Sequence, residues 1–172
     1  MNEILHTLQT RRSVKAYTSQ QISDELLDAI LQAGLYAASG KNNQKVITVA
    51  VRDQKTRDHL SRMNAQILGS DADPFYGAPC VVVVLSDPEV NTWVEDGSLV
   101  LGNLMTAAHA LGVSSCWVHR AREMFDSPEG KALLEKWGLP THLRGIGNCL
   151  LGYPAQPPVD KPRAENRILK ID

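Results

Sequence analysis

The chain has 172 residues, 43% of them hydrophobic and 22% charged, enough for one globular domain over 1–172 and too apolar for a disordered tail. Eighteen Lys and Arg against nineteen Asp and Glu leave a formal charge of −1. That balance excludes a broad basic field that would gather nucleic acid or an anionic membrane, so any anion must be held locally.

Residues 2–10 place Ile4, Leu5 and Leu8 on one helical face, and Thr10-Arg11-Arg12-Ser13-Val14-Lys15 breaks that pattern into a cationic loop. A second helix starts at Ser23 as N-cap, with Asp24 and Glu25 at its positive end and Ile22 able to staple onto Leu27; it is expected to run to Ala38. The small and amide residues Ser39 to Gln44 read as a turn. Val46–Val51 is a strand, Asp53 to Ile67 an amphipathic helix, and Gly69 to Pro79 a loop. Cys80 to Leu85, CVVVVL, is apolar throughout and predicts a strand covered on both faces. Between Trp93 and Leu111 only Glu95 and Asp96 carry formal charge, which predicts a helix covered on every side. Gly112 suits its end. Val113 to Val118 is a third strand running into His119-Arg120, Ser127-Pro128 starts a helix that Gly138 stops, and Gly145 to Leu151 is a fourth strand. After Tyr153 the Pro-rich chain is expected to run extended across the surface. Helices alternating with strands favour a doubly wound parallel sheet.

The sequence lacks a Walker loop, since Leu35 and Asn42 stand where Gly and Ser or Thr are needed, and Gly145-x-Gly147 has no third Gly and no following helix. There is no H-E-x-x-H and no G-x-S-x-G. Cys116-x-x-His119 finds no matching pair among His6, His59, His109 and His142, so no metal is expected. Cys80, Cys116 and Cys149 lie singly in apolar runs, which suggests a reducing, cytoplasmic setting. No apolar run approaches the ~20 residues that cross a bilayer, and MNEILHTLQTRR has no leader-like apolar stretch. What remains is a set of cations and a hydroxyl: Arg11, Arg12, Ser13 and Lys15 near the start, Lys161 and Arg163 near the end. Arginine forks and a Ser hydroxyl suit a phosphate. A solvated loop whose arginines meet the helix C-terminus fits the same residues.

Arg11-Arg12-Ser13-Val14-Lys15-Ala16-Tyr17 resembles the R-x-S-x-[KR]-x-[FY] opening of the FMN-dependent nitroreductase family. Further matches follow in order. Ala37-Ala38-Ser39-Gly40-Lys41-Asn42-Asn43-Gln44 is similar to that family's A-P-S-x-x-N-x-Q, with Ala38 where Pro is common and Lys45-Val46 where Pro-Trp is. Gly77-Ala78-Pro79, Ala107-Ala108 through Gly112-Val113 to Cys116-Trp117, Gly152-Tyr153-Pro154 and Lys161-Pro162-Arg163 complete the resemblance over almost the whole chain.

The resemblance implies an α+β fold with a mixed, largely antiparallel sheet flanked by helices, and a long central helix at a homodimer interface. It implies an FMN-dependent oxidoreductase passing hydride from NADH or NADPH to nitroaromatics, quinones or similar acceptors, by a ping-pong mechanism at one site. Arg11, Lys161 and Arg163 match positions that hold the FMN phosphate, with Arg12 beside them; Ser13 and Lys15 match positions at the phosphate side and pyrimidine edge. Ala38, Ser39, Gly40 and Asn42 match a loop reaching the flavin of the other subunit, making each site composite. Trp117, Val118 and His119 occupy the region packing on the ring's other face, and Asn64 is a candidate partner of the flavin edge. Trp117 also reads as core, and His119 as either a titrating acid or an exposed structural histidine. Where many relatives carry Glu-Gly this chain has His119-Arg120, which leaves the acceptor pocket open. A specialised flavin enzyme of the same fold, a dehalogenase or flavin-destroying enzyme, and a non-catalytic flavin-binding module are the alternatives. The absence of a triad or carboxylate pair suits an enzyme whose redox chemistry is carried by a flavin.

Overall fold

The computed structural model describes residues 2–171. Its centre is β2 (Cys80–Ser86), whose seven residues are all buried. β2 pairs antiparallel with β1 (Val46–Val51) on one side and β4 (Arg144–Gly152) on the other, and β4 pairs antiparallel with β3 (Ser114–Val118), giving the order β1-β2-β4-β3. The parallel sheet expected from periodicity is therefore absent among these strands. β2 runs opposite to β1, and α4 carries the chain past one strand position to β3, which runs in the same sense as β2 with the antiparallel β4 between them; the one parallel pairing is an isolated bridge from Ser13 to Ser115 at the β3 edge.

Side-chain alternation divides the core. Val81, Val83, Leu85, Cys116, Val118 and Leu150 face α3 (Gln54–Leu68), α5 (Ala121–Asp126) and α6 (Pro128–Lys136), while Val82, Val84, Cys149 and Leu151 face α2 (Asp24–Leu35) and α4 (Trp93–Ala110). Ser23, Asp53 and Ser127 cap their helices as expected, and Pro128 occupies the first turn of α6. α2 stops at Leu35, three residues early, because Tyr36 already caps it and the chain turns outward.

The sequence pattern gives no sign of α5: no side chain caps it, and it begins after Arg120 in the left-handed region at φ 74°. One expectation is corrected. α4 is not covered on every side. Asp96, Gly97, Val100, Leu101, Leu104 and Ala108 are buried, whereas Glu95 and Leu99 lie open and Gly102 and Thr106 are only half-buried. α1 (Glu3–Thr10) buries no residue at all, and Ile4, Leu5 and Leu8 are more than half exposed at 69%, 52% and 55%.

Candidate functional site: a cationic groove

α1 ends at Arg11, and the chain continues extended along the edge of the sheet. The Val14 N–H donates to the Ser115 carbonyl at 3.1 Å and the Thr18 N–H to the Tyr153 carbonyl at 2.9 Å. Alternation buries Val14 against the α3 side and turns Ser13 and Lys15 outward. The Pro-rich tail returns alongside, with the Ala155 N–H donating to the Ala16 carbonyl at 2.9 Å. Between the two extended segments lies an open groove of about 450 Å³ lined by Arg12, Ser13, Lys15, Lys161 and Arg163, with Gln156 to Val159 as its far wall. The structure thus brings together residues from both ends of the chain.

The two arginines at the head of this segment differ. Arg12 is tied up within the chain: Nε and Nη2 meet Asp160 at 2.6 and 2.5 Å, and Nη1 donates to the carbonyls of Gln9 and Arg11. Its guanidinium fastens the tail to the end of α1. Arg11 does not line the groove, but one of its guanidinium nitrogens is buried with no hydrogen-bond partner. Arg11, Ser13 and Lys15 all lie near the Cys116 thiol; burial pushes that thiol up, while Lys15, a Ser13 hydrogen bond and Arg11 pull it down. A buried, unpartnered guanidinium N–H is rare unless something outside the chain completes it. The Ser13 hydroxyl and the cations Lys15, Lys161 and Arg163 give the groove a donor set whose chemistry fits the terminal phosphate of FMN, while the buried Arg11 nitrogen is not part of its lining.

No motif in the sequence marks Tyr76 as a site residue. Its ring centre lies 5.9 Å from the Lys15 Nζ, within cation–π reach. Tyr76 is held at φ 52° by Asp73, whose carboxylate accepts from the Phe75 N–H at 2.9 Å, the Gly77 N–H at 2.8 Å, Arg57 at 2.6 Å and the Ser61 hydroxyl at 2.5 Å. Burial pushes the Asp73 carboxyl up, but the Ser61, Arg57 and backbone hydrogen bonds outweigh it and leave it below the ordinary value. The only signal in the sequence was the turn-forming run Asp73-Pro74-Phe75-Tyr76-Gly77.

Three other candidate groups lie elsewhere. Ala38 and Ser39 line a separate cavity of about 290 Å³ with Gln44, Val46, Asp96 and Val100. Within one chain neither they nor Gly40 and Asn42 line the cationic groove. Trp117 and Val118 turn to opposite faces of the sheet, so they cannot share one ring: Val118 is buried in the α3-side core and Trp117 packs half-buried on the α4 side. His119 is exposed. Asn64 is corrected outright. It is fully buried, its amide donating to the His119 carbonyl at 2.7 Å and accepting from Arg120 Nε at 3.0 Å, so it shapes the His119-Arg120 turn and is not open to a ligand.

His109, in the last turn of α4, reaches the Thr10 hydroxyl at 2.8 Å, and partial burial with the nearby Arg11, His6 and Arg12 charges holds it below its ordinary value. Among the described residues no cluster of His, Cys, Asp and Glu could hold a metal, and no helix is long and apolar enough to cross a membrane.

The profile of the nitroreductase family matches residues 8–71, a stretch that contains Arg11 to Lys15 and Ala38 to Asn42. A protein of Archaeoglobus fulgidus, provisionally named NADH dehydrogenase/NAD(P)H nitroreductase, is 34% identical over 161 residues, covering 90% of this chain and 87% of the relative. The FMN reductase [NAD(P)H] of Bacillus subtilis is 26% identical over 180 residues, covering 95% of this chain and 70% of its own. The crystal structure of a nitroreductase with bound FMN from Bacteroides fragilis superposes with a TM-score of 0.92 at 30% identity, over the full length of both chains. With the α+β fold, the order of its motifs and a relative of this identity over nine-tenths of its length, the chain belongs to the nitroreductase family.

Proposed function

We propose that this protein is an FMN-dependent oxidoreductase that uses NADH or NADPH to reduce small acceptors such as nitroaromatics or quinones, and that it works in the cytoplasm as a homodimer. The observation that carries the reading is the convergence of Ser13, Lys15, Lys161 and Arg163 on one groove. Bound FMN supplies the two-electron chemistry, which is why no triad or metal is needed. The chain's own residues bind and tune it. Arg11, Lys161 and Arg163 take the phosphate, the Ser13 hydroxyl adds a donor, and Arg12, through Asp160, fastens the tail that walls the groove. The Lys15 ammonium favours whatever negative charge accumulates beside it.

Dimerisation is supported by apolar surface that a monomer would leave in water. Ile4, Leu5 and Leu8 of α1, Leu99 of α4, and Ile168, Leu169 and Ile171 of the tail are all half or more exposed. The Ala38–Asn42 loop lines no part of the groove of its own chain, which supports the reading that it serves that of a second subunit. Steady-state oxidation of NADH or NADPH with a quinone acceptor, after saturation with FMN, tests the activity. Turnover supports the oxidoreductase reading, and FMN binding without turnover would reduce the protein to a flavin-binding module.

A further inference from the structure

We infer that Asp96 is a positioning residue of the flavin site, holding the Ser39–Gln44 loop in a strained, preformed shape; this rests on the reading that the loop serves the flavin of a second subunit. Asp96 lies one turn into α4 and is only 3% exposed. Oδ1 accepts from the Gly40 N–H at 2.9 Å, and Oδ2 accepts from Asn43 Nδ2 at 2.7 Å and from the Thr92 hydroxyl at 3.0 Å. Among the described residues no Lys or Arg pairs with it, so neutral donors alone compensate its burial, and two of the three belong to the loop. Glu95, exposed in the same first turn, already serves the helix dipole.

The loop needs such an anchor. Lys41, Asn42 and Gln44 sit at φ 52°, 54° and 51°, a region that Asn tolerates but that Lys and Gln avoid unless the surroundings over-determine it. Asn43 is the link: it donates to Asp96 and to the Gly40 carbonyl at 2.7 Å, and accepts from the Lys45 N–H at 2.9 Å. A Cβ at Gly40 would lie 2.2 Å from the Thr92 hydroxyl, so the backbone rests directly on the start of α4. With Asn43 turned inward, Lys41 and Asn42 are left exposed on the outer side. Asp96 thus joins the helix whose open face is proposed to meet the partner to the loop proposed to enter the partner's site.

Asp96→Asn tests this, because whichever way the new amide turns, one NH2 faces a donor, Gly40 or Asn43. In FMN-free protein, trypsin cleavage after Lys41 should quicken about tenfold. FMN affinity should fall about tenfold, the scale of losing a hydrogen bond to a charged group. The exchanged pair Asn43→Asp with Asp96→Asn restores the bond between the two side chains but sets a carboxylate oxygen against the Gly40 carbonyl, so it should recover only part of either loss. Asn43→Ala, on a half-exposed loop residue, should move both readouts in the same direction even if Asp96→Asn fails to fold. If Asp96→Asn or Asn43→Ala changes neither cleavage nor affinity, the inference is overturned. If cleavage quickens and affinity holds while Asn42→Ala weakens FMN, the loop serves the site but Asp96 does not position it. If Asn42→Ala is also without effect, the loop reading fails and takes the inference with it.

Discussion

Arg12 and Asp160, 148 positions apart, meet at 2.5 Å and fasten the exposed tail to the end of the first helix. Asp160 is largely exposed, so as an ion pair the contact is worth no more than about 1 kcal/mol to folding. Its value lies in placing Lys161 and Arg163 beside Ser13 and Lys15. Asp160→Asn should therefore leave the melting temperature of FMN-free protein almost unchanged and weaken FMN binding several-fold. Calorimetric FMN titration checks this; equal affinity would detach the tail from the site.

Arg11 gives a sharper separation of binding from stability. Its buried nitrogen has no partner, and an unmade buried donor costs about 1–3 kcal/mol. Arg11→Met should hold or raise the stability of FMN-free protein while lowering FMN affinity. Arg163→Ala, at an exposed position, should lose about 1.5 to 3 kcal/mol of FMN binding with no effect on folding, the scale of a hydrogen bond to a charged group. Chemical denaturation and fluorescence titration of both variants provide the comparison.

Lys15 should tune the bound flavin. At ~4 Å and an effective dielectric of ~20 two unit charges interact by about 4 kcal/mol, and delocalisation and solvent at this exposed position reduce that to about 1 to 2. A two-electron couple shifts by ~30 mV for ~1.4 kcal/mol. Lys15→Met should lower the FMN midpoint potential by about 20 to 45 mV in an anaerobic redox titration. An unchanged or higher midpoint would place Lys15 outside the site.

Acid stability should report the Asp73 turn. Hydrogen bonds from Ser61, Arg57 and the backbone outweigh desolvation and hold this carboxyl below its ordinary 3.8. Between the folded and unfolded values the unfolded chain binds more protons, so the stabilisation is present above about pH 4 and is lost as pH falls through the lower folded value. Asp73→Asn should weaken stability at neutral pH and flatten the acid limb of the curve. Thermal melts from pH 2 to 7 measure both.

Much of this architecture can be read from local chemistry. CVVVVL announces a doubly covered strand, and Ser23, Asp53 and Ser127-Pro128 mark helix starts through caps that depend only on neighbouring residues. Strand direction cannot be read this way, because helix–strand alternation is the same whether the next strand runs parallel or antiparallel. α5 escapes for want of a cap, since its signal is the backbone of Arg120 and not a side chain. The groove was foreseeable only through family motifs, because the spacing between Arg12 and Asp160 carries no information about their meeting. Asn64 and Val118 look like ligand contacts in a motif, and only packing shows them buried. Asp96 reads as an ordinary acid in a helix's first turn; only the loop resting on it reveals more.

The most direct test of the central claim is the visible absorbance spectrum of the purified protein after incubation with FMN and removal of free flavin, recorded before and after anaerobic addition of NADH or NADPH. One FMN retained per chain, with its flavin absorbance bleached by the nucleotide, is the expected result. A colourless protein that retains no added FMN would contradict it.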